Sequence, residues 1–229
     1  MIVAAILVAA GRGRRLGASQ PKALVSIGGQ PMIARAVAAF AGHPRVGPIV
    51  VVASDPEAVR GAIAAVASRA LIVAGGPERQ DSVRLGLAAL GKADIVLVHD
   101  AARPLVPRTV IDAVIDAAGR HGAALPAIAP PDTVKEVDGE GTIIATVPRD
   151  RLRLAQTPQG FRVDLLRAAH ARAEADRFHG TDEAALVERI GARVVAVEGS
   201  ARNFKITRPD DLVLAEALVR LEEDRHAGT

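Results

Sequence analysis

Ile2-Val3-Ala4-Ala5-Ile6-Leu7-Val8 runs without a polar residue, and Ala9-Ala10-Gly11-Arg12-Gly13-Arg14-Arg15 follows it directly, with Pro21-Lys22 shortly after. A short apolar run of this kind reads as a buried β-strand. Ile49-Val50-Val51-Val52 and Ile95-Val96-Leu97-Val98 repeat the pattern. Strands that are apolar throughout suit burial on both faces, hence a mainly parallel sheet between helices. Ligands of such sheets sit at the carboxyl ends of the strands. The glycine-rich, cation-rich loop after Val8 is at such an end.

The alternation extends through the chain. Strands are expected at Ile2–Val8, Pro48–Ala53, Ala70–Val73, Ile95–His99, Ala123–Ala129 and Arg193–Glu198. Helices are expected at Pro31–Phe40, Pro56–Ala67, Ser82–Leu90, Pro107–Arg120, Val163–Ala175 and Pro209–Arg225. Proline suits a helix start, and Gly42, Gly91 and Gly191 suit helix ends. The fold class is therefore α/β, a Rossmann-like, mainly parallel sheet between helices, in one domain over residues 1–229. One segment departs from it. Thr133–Val137 and Thr142–Val147 flank Asp138-Gly139-Glu140-Gly141, which reads as a β-hairpin. A lone hairpin is marginal in water, so this arm, about 132–149, must pack on its own domain or on a second subunit.

Gly11 and Gly13 permit a tight turn whose N–H groups approach an anion, and Arg14, Arg15 and Lys22 add charge there. The loop is not a Walker A motif. It is not the dinucleotide fingerprint either, because Leu16 stands where the third glycine belongs and no acid follows at the usual distance. A surface loop with a solvated basic cluster is the plain alternative; the position after the first strand and the Pro21-Lys22 pair favour a polyphosphate cradle.

Four other clusters are candidates for chemistry. Gly75-Gly76-Pro77-Glu78-Arg79-Gln80-Asp81-Ser82 is either a close backbone approach to a ligand or a turn with Ser82 starting a helix. Asp100, at a strand end, is either a ligand for a hard cation such as Mg2+ or a cap paired with Arg103. Thr146-Val147-Pro148-Arg149-Asp150 and Lys205 before the last helix read, taken singly, as solvated charges. His99 precedes Asp100 on a strand, so the two point to opposite faces, and His99 reads as a satisfied core histidine. No Ser/His/Asp triad stands out.

Apolar residues make up 49% of the 229, enough for a full core. Absence of Cys removes disulfides, zinc-thiolate sites and thiol catalysis, and suits a reducing cytosol. The first apolar run has no basic flank before it and is too short to span a bilayer, so a cytoplasmic protein without a membrane partner is expected. The net charge of +3 permits an anionic ligand, but with no Tyr or Trp and four Phe the chain lacks stacking platforms for nucleic acid.

Taken in order, A-A-G-x-G-x-R-x6-P-K, G-G-x-x-R-x-x-S-V, V-H-D-A-A-R-P, D-T-V-K, T-P-Q, T-D-E-A and N-x-K-I-T-x-P-x-D-L closely resemble the 2-C-methyl-D-erythritol 4-phosphate cytidylyltransferase family. The opening loop is shared by many sugar-nucleotide pyrophosphorylases; the later motifs are more specific. The resemblance implies a nucleotidyltransferase fold and a reaction of CTP with 2-C-methyl-D-erythritol 4-phosphate, giving the cytidine diphosphate product and pyrophosphate. It implies that Arg15 and Lys22 act at the α-phosphate, with Ala9, Ala10, Gly11, Gly76 and Ser82 lining the CTP pocket. It places Arg149, Lys205, Asp100, Arg103, Thr133 and Thr157 around the sugar phosphate, with Asp100 a candidate ligand for Mg2+ or another divalent cation. It further implies a homodimer with embracing hairpin arms, Arg149 reaching the neighbouring site. Some relatives fuse the domain to a downstream cyclodiphosphate synthase, in which case the charged end would be a linker. Two rivals stay open: a cytidylyltransferase for another polyol phosphate such as ribitol 5-phosphate, and a non-catalytic nucleotide-binding protein. The chemistry agrees with the resemblance. A phosphate monoester, with a second pKa of about 6, is already a nucleophile at neutral pH, so no general base is required.

Overall fold

The computed structural model describes residues 1–11 and 21–227. Arg12, Gly13, Arg14 and Arg15 of the opening loop lie outside the described residues.

In chain order the elements are β1 (Val3–Ala9), β2 (Ser26–Ile27), β3 (Gln30–Pro31), α1 (Met32–Ala41), β4 (Val46–Ala53), α2 (Pro56–Ala67), β5 (Leu71–Ala74), α3 (Arg79–Ala89), β6 (Ile95–Asp100), α4 (Arg108–His121) and β7 (Ala123–Ile128). Then come β8 (Val134–Val137), β9 (Ile143–Val147), β10 (Leu154–Ala155), β11 (Gln159–Arg162), α5 (Val163–Ala175), α6 (Glu183–Arg189), β12 (Val195–Glu198) and α7 (Pro209–Ala227). The eight-stranded sheet runs β10-β7-β11-β6-β1-β4-β5, with β12 also paired to β7. Strands β6, β1, β4 and β5 are mutually parallel, as are β12 and β7.

Alternation along β1 divides the core. Val3, Ala5, Leu7 and Ala9 face Ile33, Val37 and Phe40 of α1, Val59 and Ile63 of α2, and Ile111 and Ile115 of α4. Ala4 and Ile6 face Val83 and Leu87 of α3, Leu166 of α5, and Leu186 and Val187 of α6. Both faces are covered, which is why β1, β4 and β6 carry so few polar residues. The mainly parallel α/β sheet is as expected.

Two strands interrupt that pattern. β11 lies antiparallel between β6 and β7, and β10 is antiparallel to β7. Gln159-Gly160-Phe161-Arg162 lacks an apolar run because its glycine answers to packing. A Cβ at Gly160 would meet Val114 Cγ1 of α4 at 2.6 Å, so the helix can approach the strand only over a bare backbone.

Helix starts also differ from expectation. α3 begins at Arg79, three residues before Ser82, because Glu78 and Asp81 form a capping box. The last helix, expected at Pro209–Arg225, is α7, and its Ala215 and Val219 pack with Val25, Ile27, Met32 and Ile206. The expected hairpin is present. β8 and β9 pair only with each other among the described residues, and Val137, Ile143 and Ile144 are exposed on it. Its turn is held by Asp138 Oδ1, which accepts from the N–H groups of Glu140 and Thr142.

His170 of α5 is buried in the core with no hydrogen-bond partner for Nε2 among the described residues. Burial, aided by the charges of Arg84 and Arg79, brings its imidazole down to about 4. The unfolded chain, with a value of about 6.5, takes up the proton first as the pH falls. Stability therefore decreases from about pH 6.5 to about pH 4 and levels off below. In urea titrations at pH 7 and pH 4.5, the wild type should lose about 2 kcal/mol more than His170→Leu. An equal loss in both proteins would remove His170 from this account.

Candidate active site

The carboxyl ends of β1, β4, β5 and β6 open into one cleft with a volume of ≈ 680 Å³. Its described lining brings together Ala9, Ala10, Gly11, Lys22, Gly76, Ser82, Asp100 and Lys205, contributed by separate stretches of chain. Ser54, Arg79 and Thr207 also line it.

Each part has a local reason for its position. Lys22 opens a short 3-10 turn, Lys22–Leu24, whose Val25 N–H donates to the Lys22 carbonyl. The Gly75-Gly76 turn is packed against β1: a Cβ on Gly75 would meet Ala10 Cβ at 2.5 Å, and one on Gly76 would meet Asp81 Cβ at 2.4 Å. Ser82 is fully buried. Its Oγ accepts from Gly76 N (3.1 Å) and donates to the Glu78 carbonyl (3.1 Å). The hydroxyl therefore shapes the glycine turn from below rather than starting a helix.

Asp100 ends β6 beneath the cleft. Oδ1 accepts from Arg79 Nε (3.0 Å) and Oδ2 from Lys205 Nζ (2.7 Å). Burial pushes its carboxyl up, but Arg79 and Lys205 together hold it well below the usual carboxylate range. The expected alternative pairing with Arg103 is not what forms. Arg103 instead donates from Nη1 to the Asn203 carbonyl (2.7 Å) and from Nη2 to the Ala155 carbonyl (3.4 Å). Lys205, which read alone as a solvated charge, is tied to Asp100 across 105 positions of sequence.

His99 is a satisfied core histidine, as expected, stacked at a tilt on Phe40. Burial brings its imidazole down to about 4, so it is neutral at pH 7. Nε2 faces the Arg103 carbonyl at 3.0 Å and must carry the proton, since a carbonyl only accepts. Nδ1 then accepts from Thr157 Oγ1 at 3.1 Å, and Thr157 Oγ1 accepts from Asp100 N at 3.0 Å. Thr157 is thus a buried brace for the end of β6, its hydroxyl already bonded within the protein.

Arg103, Thr133, Thr157 and Arg149 are not in the described lining of the cleft. Thr133 is exposed just before β8. Arg149 is exposed beyond β9, its Nη1 donating to the Pro131 carbonyl (2.6 Å). Arg15 lies outside the described residues. Arg79, Ser54 and Thr207 line the cleft without a role read from sequence, and behind Arg79 stands Glu183 of α6, whose two carboxylate oxygens accept from Arg79 Nη1 (2.9 and 2.7 Å). Burial raises the Glu183 carboxyl, and Arg79 opposes that rise.

The donor set bears on a metal. Among the described residues there is no cluster of three or more His, Cys, Asp or Glu able to hold one. Asp100 brings one carboxylate to the cleft and Glu78 also lines it, a donor set that fits Mg2+ in its usual manner, bound by one or two carboxylates with the remaining oxygens from phosphates and water. Lys22, Lys205 and Arg79 around the same cleft suit a polyanion.

Residues 3–221 match the family described as 2-C-methyl-D-erythritol 4-phosphate cytidylyltransferase. The enzyme of that name from Frankia casuarinae is 48% identical over 95% of this chain and 81% of its own length. A relative from Rhodopseudomonas palustris, described as the bifunctional enzyme IspD/IspF, is 47% identical over 99% of this chain, which spans 58% of that longer protein. The crystal structure of 2-C-methyl-D-erythritol 4-phosphate cytidylyltransferase from Thermus thermophilus superposes with a TM-score of 0.81 at 41% identity, covering 96% of this chain and 100% of that one. Among the described residues no helix is long and apolar enough to cross a membrane.

Proposed function

The chain belongs to the 2-C-methyl-D-erythritol 4-phosphate cytidylyltransferase family and transfers the cytidylyl group of CTP to that acceptor, and we propose that it does so in the cleft at the carboxyl ends of β1, β4, β5 and β6. One observation carries this placement: Asp100, held between Arg79 and Lys205, shares a cleft with Lys22 and the Gly75-Gly76 turn.

The chemistry sets what the residues must do. A phosphate oxygen of the acceptor attacks the α-phosphorus of CTP. The bond to the bridging oxygen breaks, and pyrophosphate leaves with its electron pair. No proton has to be removed from a monoester dianion, consistent with a neutral, internally bonded His99. The burden is electrostatic: two polyanions must be held together and charge stabilised on the α-phosphoryl group and the leaving group. Lys22 and Arg15 serve the α-phosphate. Ala9, Ala10 and Gly11 present backbone to the nucleotide, and Gly76 and Ser82 form the opposite wall. Lys205 releases Asp100 to hold the acceptor phosphate. Arg103 and Thr157 fix the end of β6 next to it, and Thr133 stands at the base of the arm. Mg2+, held by Asp100 and the phosphates, would supply further charge neutralisation.

The enzyme works as a cytoplasmic homodimer joined through the hairpin arm. Support comes from the arm itself: among the described residues it is a separate two-stranded sheet bearing Val137, Ile143 and Ile144 in the open, and Arg149 at its end is not in the described lining of its own cleft. An apolar two-stranded arm is unstable without a surface to cover it. Arg149 would complete the acceptor site of the second subunit.

Pyrophosphate release tests both parts. CTP with methylerythritol phosphate should turn over, and CTP with ribitol 5-phosphate should not; preferred use of ribitol 5-phosphate would reassign the acceptor. Arg149→Ala should raise KM for methylerythritol phosphate ~10-fold or more, the value of a lost charge-assisted contact, and spare KM for CTP. Mixing Arg149→Ala with Lys22→Ala subunits should restore activity, because one hybrid site then receives both wild-type residues. No recovery under verified subunit exchange would sink the shared site.

A further inference from the structure

Glu183 is 1% exposed, and nothing in the transfer chemistry calls for a carboxylate there. Its position is fixed without help from Arg79. Asp182 Oδ1 caps α6 by accepting from Ala185 N (3.0 Å), while Asp182 Oδ2 accepts from Gln159 Nε2 (2.7 Å). Gln159 Oε1 accepts in turn from Ala184 N (3.1 Å). Gln159 belongs to β11 and pairs opposite Val98 of β6, two residues before Asp100. The start of α6 is therefore bolted to the sheet beside the cleft independently of Arg79.

Arg79 spends Nη1 on both oxygens of Glu183 and Nε on Asp100. Its guanidinium plane is set by two carboxylates. The result is a line of alternating charge, Glu183, Arg79, Asp100, Lys205, running from the core to the cleft. Stability is a weak reason for such a line, since a buried ion pair is commonly matched or bettered by an apolar pair of similar volume. Without Glu183, Arg79 would keep a single anchor and could swing over Asp100 or into the cleft.

We propose that Glu183 is a positioning residue for the transfer reaction: it clamps Arg79, and through Arg79 holds Asp100 against the cleft wall. The proposal rests on this cleft being the site of cytidylyl transfer. Its signature is a loss in kcat that passes through Arg79, with nucleotide binding retained.

The test is a double-mutant cycle in the pyrophosphate-release assay. Glu183→Gln keeps the shape and removes the charge. It should lower kcat about 30-fold and leave KM for CTP within about threefold. Arg79→Gln should lower kcat at least as much, and adding Glu183→Gln to it should cost nothing more, because residues acting in series do not add. Glu183→Asp, which restores the charge, should recover part of the loss. The pair Arg79→Met with Glu183→Leu removes the Glu183 charge together with its partner and leaves Asp100 paired with Lys205; it should still fold cooperatively and still show the low kcat. Wild-type kcat in Glu183→Gln overturns the proposal, as does a full second loss in the Arg79→Gln background. Failure of the apolar pair to fold assigns the two residues to stability and overturns it as well. Absence of turnover in the wild type would remove the underlying site, and is distinguished by appearing before any substitution.

Discussion

Lys22→Ala is expected to lower kcat by ~10²-fold or more, the cost of a lost donor to a developing charge, with a much smaller change in KM for CTP. The two parameters separate because different parts of the cleft govern them. On the proposed placement, nucleotide binding would be spread over the backbone after β1 and the Gly75-Gly76 turn, both of which line the cleft and are left intact by the substitution. The ammonium of Lys22 contributes most when the α-phosphoryl group carries its greatest charge, so its loss falls on the chemical step. Lys22→Arg should recover only part of the rate, because a planar guanidinium fork cannot take the place of a compact point charge. Steady-state kinetics with each substrate varied in turn decides it: an unchanged kcat in Lys22→Ala removes the residue from the chemistry.

What can be read in the sequence follows from which forces act locally. β1, β4 and β6 are legible because burial on both faces leaves an unbroken apolar record. β11 is not, because a strand pinned under α4 is specified by Gly160, whose role lies in what is absent from its side chain. α6 is only seven residues long and is stabilised by the remote Gln159, so its local pattern carries little weight. At the site, the glycines and Lys22 are legible locally, since tight backbone approach and charge beside it constrain residue type directly, whereas Lys205 alone reads as a solvated charge and gains its meaning from Asp100, 105 positions away. The Arg79–Glu183 pair is not legible locally either, because its meaning depends on two residues 104 positions apart. A signal is present all the same. Glu183 begins Glu183-Ala184-Ala185-Leu186-Val187, and a carboxylate at the head of a buried apolar helix needs a cation from elsewhere.

Asp100→Asn should be among the most damaging conservative changes at this site. The amide preserves shape but cannot balance Arg79 on one side and Lys205 on the other, and on the proposed reading it would offer Mg2+ a neutral oxygen in place of a carboxylate. A fall in kcat of ~10²-fold or more is expected, on the scale of losing a preorganised charge contact. KM for methylerythritol phosphate should not rise, because Lys205 is then freed to grip a phosphate. Stability should change with a definite sign. The Asp100 carboxyl lies below its ordinary range in the folded protein, so its contribution is fully present above the unfolded value of about 4 and disappears only as pH falls through the folded one. Asp100→Asn should therefore be less stable than wild type at pH 7 by about 3 kcal/mol, the low end for breaking a buried charge pair. The gap should persist at pH 5 and close only in stronger acid. Activity within about threefold of wild type, together with coincident unfolding curves at pH 7, would show that neither catalysis nor the fold depends on the charge between Arg79 and Lys205.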